Sequence, residues 1–214
     1  MRVLGKVVLA VGVAALLGSP ALAQRGGGGG FGGGGLLMTP GVQKELKLTD
    51  EQKQKVETAL KEFREKHADD YSKLRDLEPK EQMEAFQKLT HESREAVTPI
   101  LDKEQAKRFK EIDRQVRGVQ AFADHDVQKH LKLTDKQKEE IKTIQEDSVK
   151  QMREIFTNAQ GDAQGAREKF TALRKDSLEK VTKILTDDQK KTWKEMTGKH
   201  FEFQRGAGRR RGNG

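Results

Sequence analysis

The chain has 214 residues, no cysteine, 36% charged residues and a formal net charge of +8. The lack of cysteine excludes disulfides, thiolate metal sites and thiol nucleophiles, so the fold must rest on packing alone. Arg2, Lys6, Arg25, Arg205, Arg209, Arg210 and Arg211 lie outside residues 36–204, which hold 35 basic and 34 acidic residues; a segment so close to neutral, with no basic stripe interleaved with aromatics, argues against nucleic acid as a partner.

Residues 1–23 read as a signal peptide. Arg2 and Lys6 make a basic start, residues 7–18 form a short apolar run, and Ala21-Leu22-Ala23 is an A-x-A cleavage site before Gln24. A spanning helix needs about 20 apolar residues, which this run does not reach. The expected localisation is therefore the periplasm. Residues 24–41 read as a Gly-rich flexible linker, and residues 205–214 as a Gly/Arg-rich disordered tail. Arg209, Arg210 and Arg211 are either simply solvated or make weak contact with anionic lipid or acidic partners.

Between these ends the apolar residues recur with a helical period and no strand alternation is present. The dominant feature is an internal repeat. Residues 42–56 read VQKELKLTDEQKQKV and residues 127–141 read VQKHLKLTDKQKEEI, identical at ten of fifteen positions with an offset of 85. Residues 86–109 and 170–193 match at ten of twenty-four positions with an offset of 84. The order is kept, so the chain reads as two tandem units, residues 42–122 and 123–204.

Each unit carries one short signal twice: Leu48-Thr49-Asp50-Glu51-Gln52 and Leu101-Asp102-Lys103-Glu104-Gln105, then Leu133-Thr134-Asp135-Lys136-Gln137 and Leu185-Thr186-Asp187-Asp188-Gln189. Physically this is a capping box. The Thr or Asp side chain takes a first-turn backbone N–H, and the Gln three residues on returns to the cap's own N–H. Acidic residues after the cap suit the helix dipole. Seven residues past each cap stands Val56, Phe109, Ile141 or Trp193, two turns in on the same face.

About six helices follow. The first spans residues 50–77 with Val56, Leu60, Phe63, Leu74 and Leu77 on one stripe, ended by Glu78-Pro79. The second carries Met83, Phe86, Leu89, Val97 and Ile100, with Thr98-Pro99 weakening its last turn. The third, from Asp102, carries Phe109, Ile112, Val116, Val119 and Phe122. The second unit repeats the plan with Ile141, Ile144, Met152, Ile155 and Phe156, a turn over residues 158–165, then Phe170, Leu173, Val181 and Ile184, and finally Trp193 and Met196.

Four LTxxQ signals behind a signal peptide, in a charge-dense helical chain, resemble the Spy/CpxP family of periplasmic proteins over about residues 42–201. Asp102 departs from the pattern by replacing Thr, but Asp also caps. The resemblance implies ATP-independent chaperone (holdase) activity, or an envelope-stress adaptor role, with unfolded or misfolded envelope proteins held on a helical cradle. In that family two chains pair; here two units in one chain imply an intrachain pseudo-dimer with a curved surface and an approximate twofold. The alternatives are a metal-responsive or sensor-kinase-modulating periplasmic regulator, and a structural envelope helical protein.

No catalytic motif is present: G-x-S-x-G, H-E-x-x-H and a GK[ST] loop are all missing, so no enzyme activity and no cofactor are expected. His67, His91, His125, His130 and His200 contain no i, i+4 pair, so no metal ligand set is expected. Phe63, Phe86, Phe109, Phe170 and Trp193 are first of all core, although a thin helical layer leaves some such residues open to clients.

Overall fold

The computed structural model describes residues 33–159 and 162–202. The signal-peptide and Arg-rich tail readings lie outside these residues. Every regular element among them is helical: α1 Pro40–Glu45, α2 Asp50–Lys66, α3 Ala68–Lys73, α4 Pro79–Val97, α5 Lys103–Arg117, α6 His125–His130, α7 Asp135–Thr157, α8 Ala163–Ile184 and α9 Asp187–Thr197. Short 3-10 turns cover Gly33–Met38, Leu74–Asp76, Thr98–Ile100 and Gly118–Ala123. The protein is all-α. Among the described residues no helix is long and apolar enough to cross a membrane.

Two apolar cores form in sequence order. The first gathers Val42, Leu46, Leu48, Val56, Leu60, Val97, Leu101, Phe109, Ile112 and Val116. The second gathers Val119, Phe122, Val127, Leu131, Leu133, Ile141, Val181 and Leu185, with Trp193 and Met196 packed against it. Gly118 separates them. Its φ of 55° lies in the left-handed region, which glycine enters without the Cβ penalty, so α5 stops there and the chain passes to the second core.

The matching segments fold alike in detail. The residues before α2 and α7 show why LKLT stands where it does. At the end of α1, Lys47 turns left-handed (φ 52°), its N–H bonds to the Lys44 carbonyl, and the Leu48 N–H bonds to the Gln43 carbonyl. At the end of α6, Lys132 (φ 50°), Lys129, Leu133 and Gln128 repeat both bonds. This is a Schellman ending, and it reverses the chain so that the leucines on both sides of the lysine, Leu46 and Leu48 or Leu131 and Leu133, point into the core. Thr49 and Thr134 then open the next helix.

Three sequence expectations need correction. The linker reading of residues 24–41 fails over residues 33–41. Gly33–Met38 is a packed turn, Leu36 and Leu37 are buried in the first core, and α1 begins at Pro40. Two adjacent leucines supply apolar burial that a pure Gly run lacks. The first long helix is also broken. It stops at Lys66, and His67 (φ −105°, ψ 20°) stacks on Phe63 and bonds Asp70 before α3 begins. Asp69 and Asp70 are a fresh acidic first turn, a local start signal that competes with continuation. Pro79 then keeps Glu78 extended at the start of α4. Finally, Val119 and Phe122 are buried but lie beyond Gly118, outside α5 and in the second core.

The left-handed lysines carry a cost that glycine would not. Lys47→Gly and Lys132→Gly are each expected to stabilise the protein, by up to about 1 kcal/mol, in urea denaturation.

Candidate functional site

All four Leu-x-x-x-Gln signals sit at helix starts. Thr49, Asp102, Thr134 and Thr186 are the N-caps of α2, α5, α7 and α9, each accepting a bond from the glutamine N–H three residues on while that glutamine's Oε1 accepts from the cap N–H. The preceding Leu48, Leu101, Leu133 and Leu185 are all buried. The caps themselves are exposed.

The glutamines do more than cap. Gln52 Nε2 donates to Gln105 Oε1 at 2.7 Å, and Gln105 Nε2 returns to Gln52 Oε1 at 3.1 Å. Gln52 Nε2 also donates to the Ile100 carbonyl, and Gln105 Nε2 to the Leu46 carbonyl. The second unit repeats all four bonds: Gln137 and Gln189 pair at 2.8 and 3.0 Å, and reach the Ile184 and Leu131 carbonyls. Each pair therefore ties two helix starts to the chain ends arriving before them. The capping half of this is written in local spacing; the cross-bonds, between residues 53 apart in one unit and 52 in the other, are not.

A second polar cluster lies between the cores, and no sequence motif announced it. Asp113, 1% exposed, takes Arg94 Nη1 at 2.6 Å on one oxygen and the Gly33 N–H at 3.2 Å on the other. Arg117 pairs with Asp124 through both Nη atoms, and Arg94 also reaches Asp124 at 3.0 Å. Burial alone raises the Asp124 carboxyl, but the Arg117 charge and the Arg94 and Arg117 hydrogen bonds outweigh it, so the group titrates below the ordinary carboxylate range. Beside the cluster is a small cavity of about 80 Å³, whose lining includes His91, Arg94, Asp113, Asp124 and His125. His130 does not line the cavity, but its ring bonds the carbonyl of Asp126, which does.

Helices α5, α8 and α9 meet where arginine and glutamine side chains satisfy helix ends. Arg174 of α8 donates to the Gln115 and Val116 carbonyls at the end of α5. In return Arg114 donates to the Met196 carbonyl, and Gln115 to those of Thr197 and Lys199, closing the end of α9. Terminal helix carbonyls have no partner in their own helix, so these bonds fill a standing vacancy. Phe201, just past α9, packs into the first core, and Phe122 stacks on Trp193 at 4.3 Å between ring centroids.

The outer surface carries exposed aromatics. Phe156 is 64% exposed, Phe86 48% and Tyr71 37%. In α7 the buried residues are Ile141, Gln145 and Ser148, and none follows them in that helix. Phe156 meets Phe170 at 6.2 Å between centroids, and Met152 and Ile155 are partly exposed. Arg153 bonds Gln82, which brings the start of α4, with Met83 and Phe86, beside this half of α7. Of the aromatics read as core, Phe63 and Phe109 are buried, Phe170 and Trp193 are half-buried and Phe86 is exposed.

Comparison with family models, with curated proteins and with solved structures gives no match.

Gln52→Ala strips partners from the Thr49 N–H, the Ile100 carbonyl and the Gln105 amide together. It is expected to cost about 2 kcal/mol or more, against about 1 for Thr49→Ala, and Gln52/Gln105 should couple in a double-mutant cycle. For Asp124 the folded pKa is depressed, so its contribution is complete above the unfolded value near 4 and is lost as pH falls through the folded value. Melting curves between pH 6 and 2 should show Asp124→Asn destabilised at pH 6, with the difference from the parent protein shrinking as the pH falls below the unfolded value.

Proposed function

We propose that the protein is an exported, ATP-independent holdase that keeps unfolded envelope proteins from aggregating and works without a cofactor or catalysis. The single observation carrying this reading is the distal half of α7, which buries no residue beyond Ser148 and leaves Phe156 exposed beside Phe170 and close to the start of α4. Large apolar side chains left in solvent on a polar chain mark a surface that meets other chains. Three further features support it: the A-x-A leader, the fourfold LTxxQ signal and its likeness to the Spy/CpxP pattern, and the absence of a phosphate-cradling loop in the sequence. We further propose that the two units act as an intrachain pseudo-dimer, each supplying half of a curved surface. The reciprocal capping between α5 with α8 and α5 with α9 fits such a pairing.

Light scattering of a denatured client with the mature chain, without ATP, tests the reading. Phe86→Ser/Phe156→Ser should lower suppression several-fold at an unchanged melting temperature, because both side chains are already exposed. Full suppression by the double variant, or none by the parent protein across several clients, would contradict it; the second outcome favours the sensor-kinase regulator.

A further inference from the structure

The turn Gly33–Met38 lies across α2 and α4 as a strap rather than as part of either. Its hold is specific. The Gly33 N–H is taken by Asp113 and the Gly34 N–H by Ser93 Oγ at 3.1 Å, so two backbone donors are read by side chains of α5 and α4. Leu36 and Leu37 fill the apolar floor. The glycines are required by space: a Cβ on Gly34 would come within 2.3 Å of the Ser93 carbonyl oxygen and 2.8 Å of Leu60, and one on Gly33 within 2.5 Å of Ser93 Oγ, where φ is also +67°. Gly35, in contrast, has nothing within 4 Å of such an atom.

The turn Gly118–Ala123 shows what is particular here. At the offset of 85, Gly34 corresponds to Val119 and Leu37 to Phe122. The second core thus accommodates a branched side chain where the first admits none. Gln145 donates to the Val119 carbonyl there, whereas its counterpart Leu60 presses directly on the strap. The first unit's site therefore reads backbone N–H groups, excludes side chains at two positions and rewards two consecutive leucines, which are the attributes of a peptide groove.

We propose that this groove of α2 and α4 binds Gly-Gly-x-Leu-Leu segments and that Gly33–Met38 is its resident, releasable plug. Release bares the floor under Leu36 and Leu37 to a segment of the same chemistry from another chain. It also takes a hydrogen bond from Asp113, which shares Arg94 with Asp124 at the start of α6, so docking is registered at the junction of the two units. The consequence for client binding rests on the holdase reading; the groove itself does not.

Hydrogen exchange of the mature chain is the first test. Amides of residues 33–38 should exchange at least about tenfold faster than those of α2 and α4, showing that the strap opens while the helices stay closed. Exchange of strap and helices at one common rate would make it ordinary core and overturn the proposal. The second test uses Gly34→Ala, with Gly35→Ala as its control, and a labelled GGGLLMT peptide. The Gly34→Ala chain should bind this peptide saturably and reject GAGLLMT, while the Gly35→Ala chain should match the parent protein and bind weakly. Binding of both peptides alike, or of neither by a folded Gly34→Ala chain, overturns the groove. Selective binding with unchanged client suppression supports the groove and counts against the holdase reading.

Discussion

In each unit the reciprocal amide pair, Gln52 with Gln105 or Gln137 with Gln189, is the contact on which the rest is hung. A primary amide has two donors and one two-lone-pair acceptor. Here the oxygen serves its own cap N–H and the partner amide, while the nitrogen serves the partner and a carbonyl of the arriving chain. Four chain ends, which would otherwise point unpaired groups toward a partly buried seam, are satisfied by two side chains. The buried leucines beside the caps then close the apolar side of the seam. Helix starts are placed first by this junction, and the long pairs α2–α4 and α7–α8 run outward from it.

Long helices fixed at one end need not be covered at the other. Burial along α7 ends at Ser148, well short of Thr157, so the second core sits near its node and the far reach of α7 is partly or fully exposed. The exposed positions of Phe86 and Phe156 follow from this geometry. The two cores are joined by charge and caps rather than by a shared apolar interior, with Phe201 as the chief apolar crossing. Burial penalises the Arg114 and Arg174 guanidinium groups and lowers both pKa values. Their bonds to helix-end carbonyls return part of that cost, because those carbonyls also lack partners.

Much of this was readable from the residues. A capping box is an i, i+3 event, so Thr49 with Gln52 announces itself, and apolar spacing marks Val56, Leu60, Phe109, Ile112, Ile141 and Val181 as inward-facing. Other features depend on distance in space. The Gln–Gln bonds, Asp113 with Arg94, and the helix-end caps by Arg114 and Arg174 join elements that local pattern treats separately. Gly33 and Gly34 misled because a Gly run has no side chains with which to declare packing; here their very lack of Cβ permits a close approach to α4. His67 was hidden because a helical stripe continues through it to Leu74 and Leu77, whereas the break depends on its own bonds to Asp70 and its stacking on Phe63.

The structural reading of LTxxQ stands or falls on whether its glutamine amides are engaged. Side-chain amide NMR of the protein tests this directly, by following solvent exchange of the glutamine Nε2 protons. Gln52, Gln105, Gln137 and Gln189 should give four protected amide groups, well separated from the other glutamines, and Gln52→Ala, which removes an acceptor of the Gln105 amide, should speed exchange at Gln105 but not at Gln137 or Gln189. Rapid exchange at all four, as in free glutamine side chains, would contradict the account and make the motif a surface for contact with other molecules.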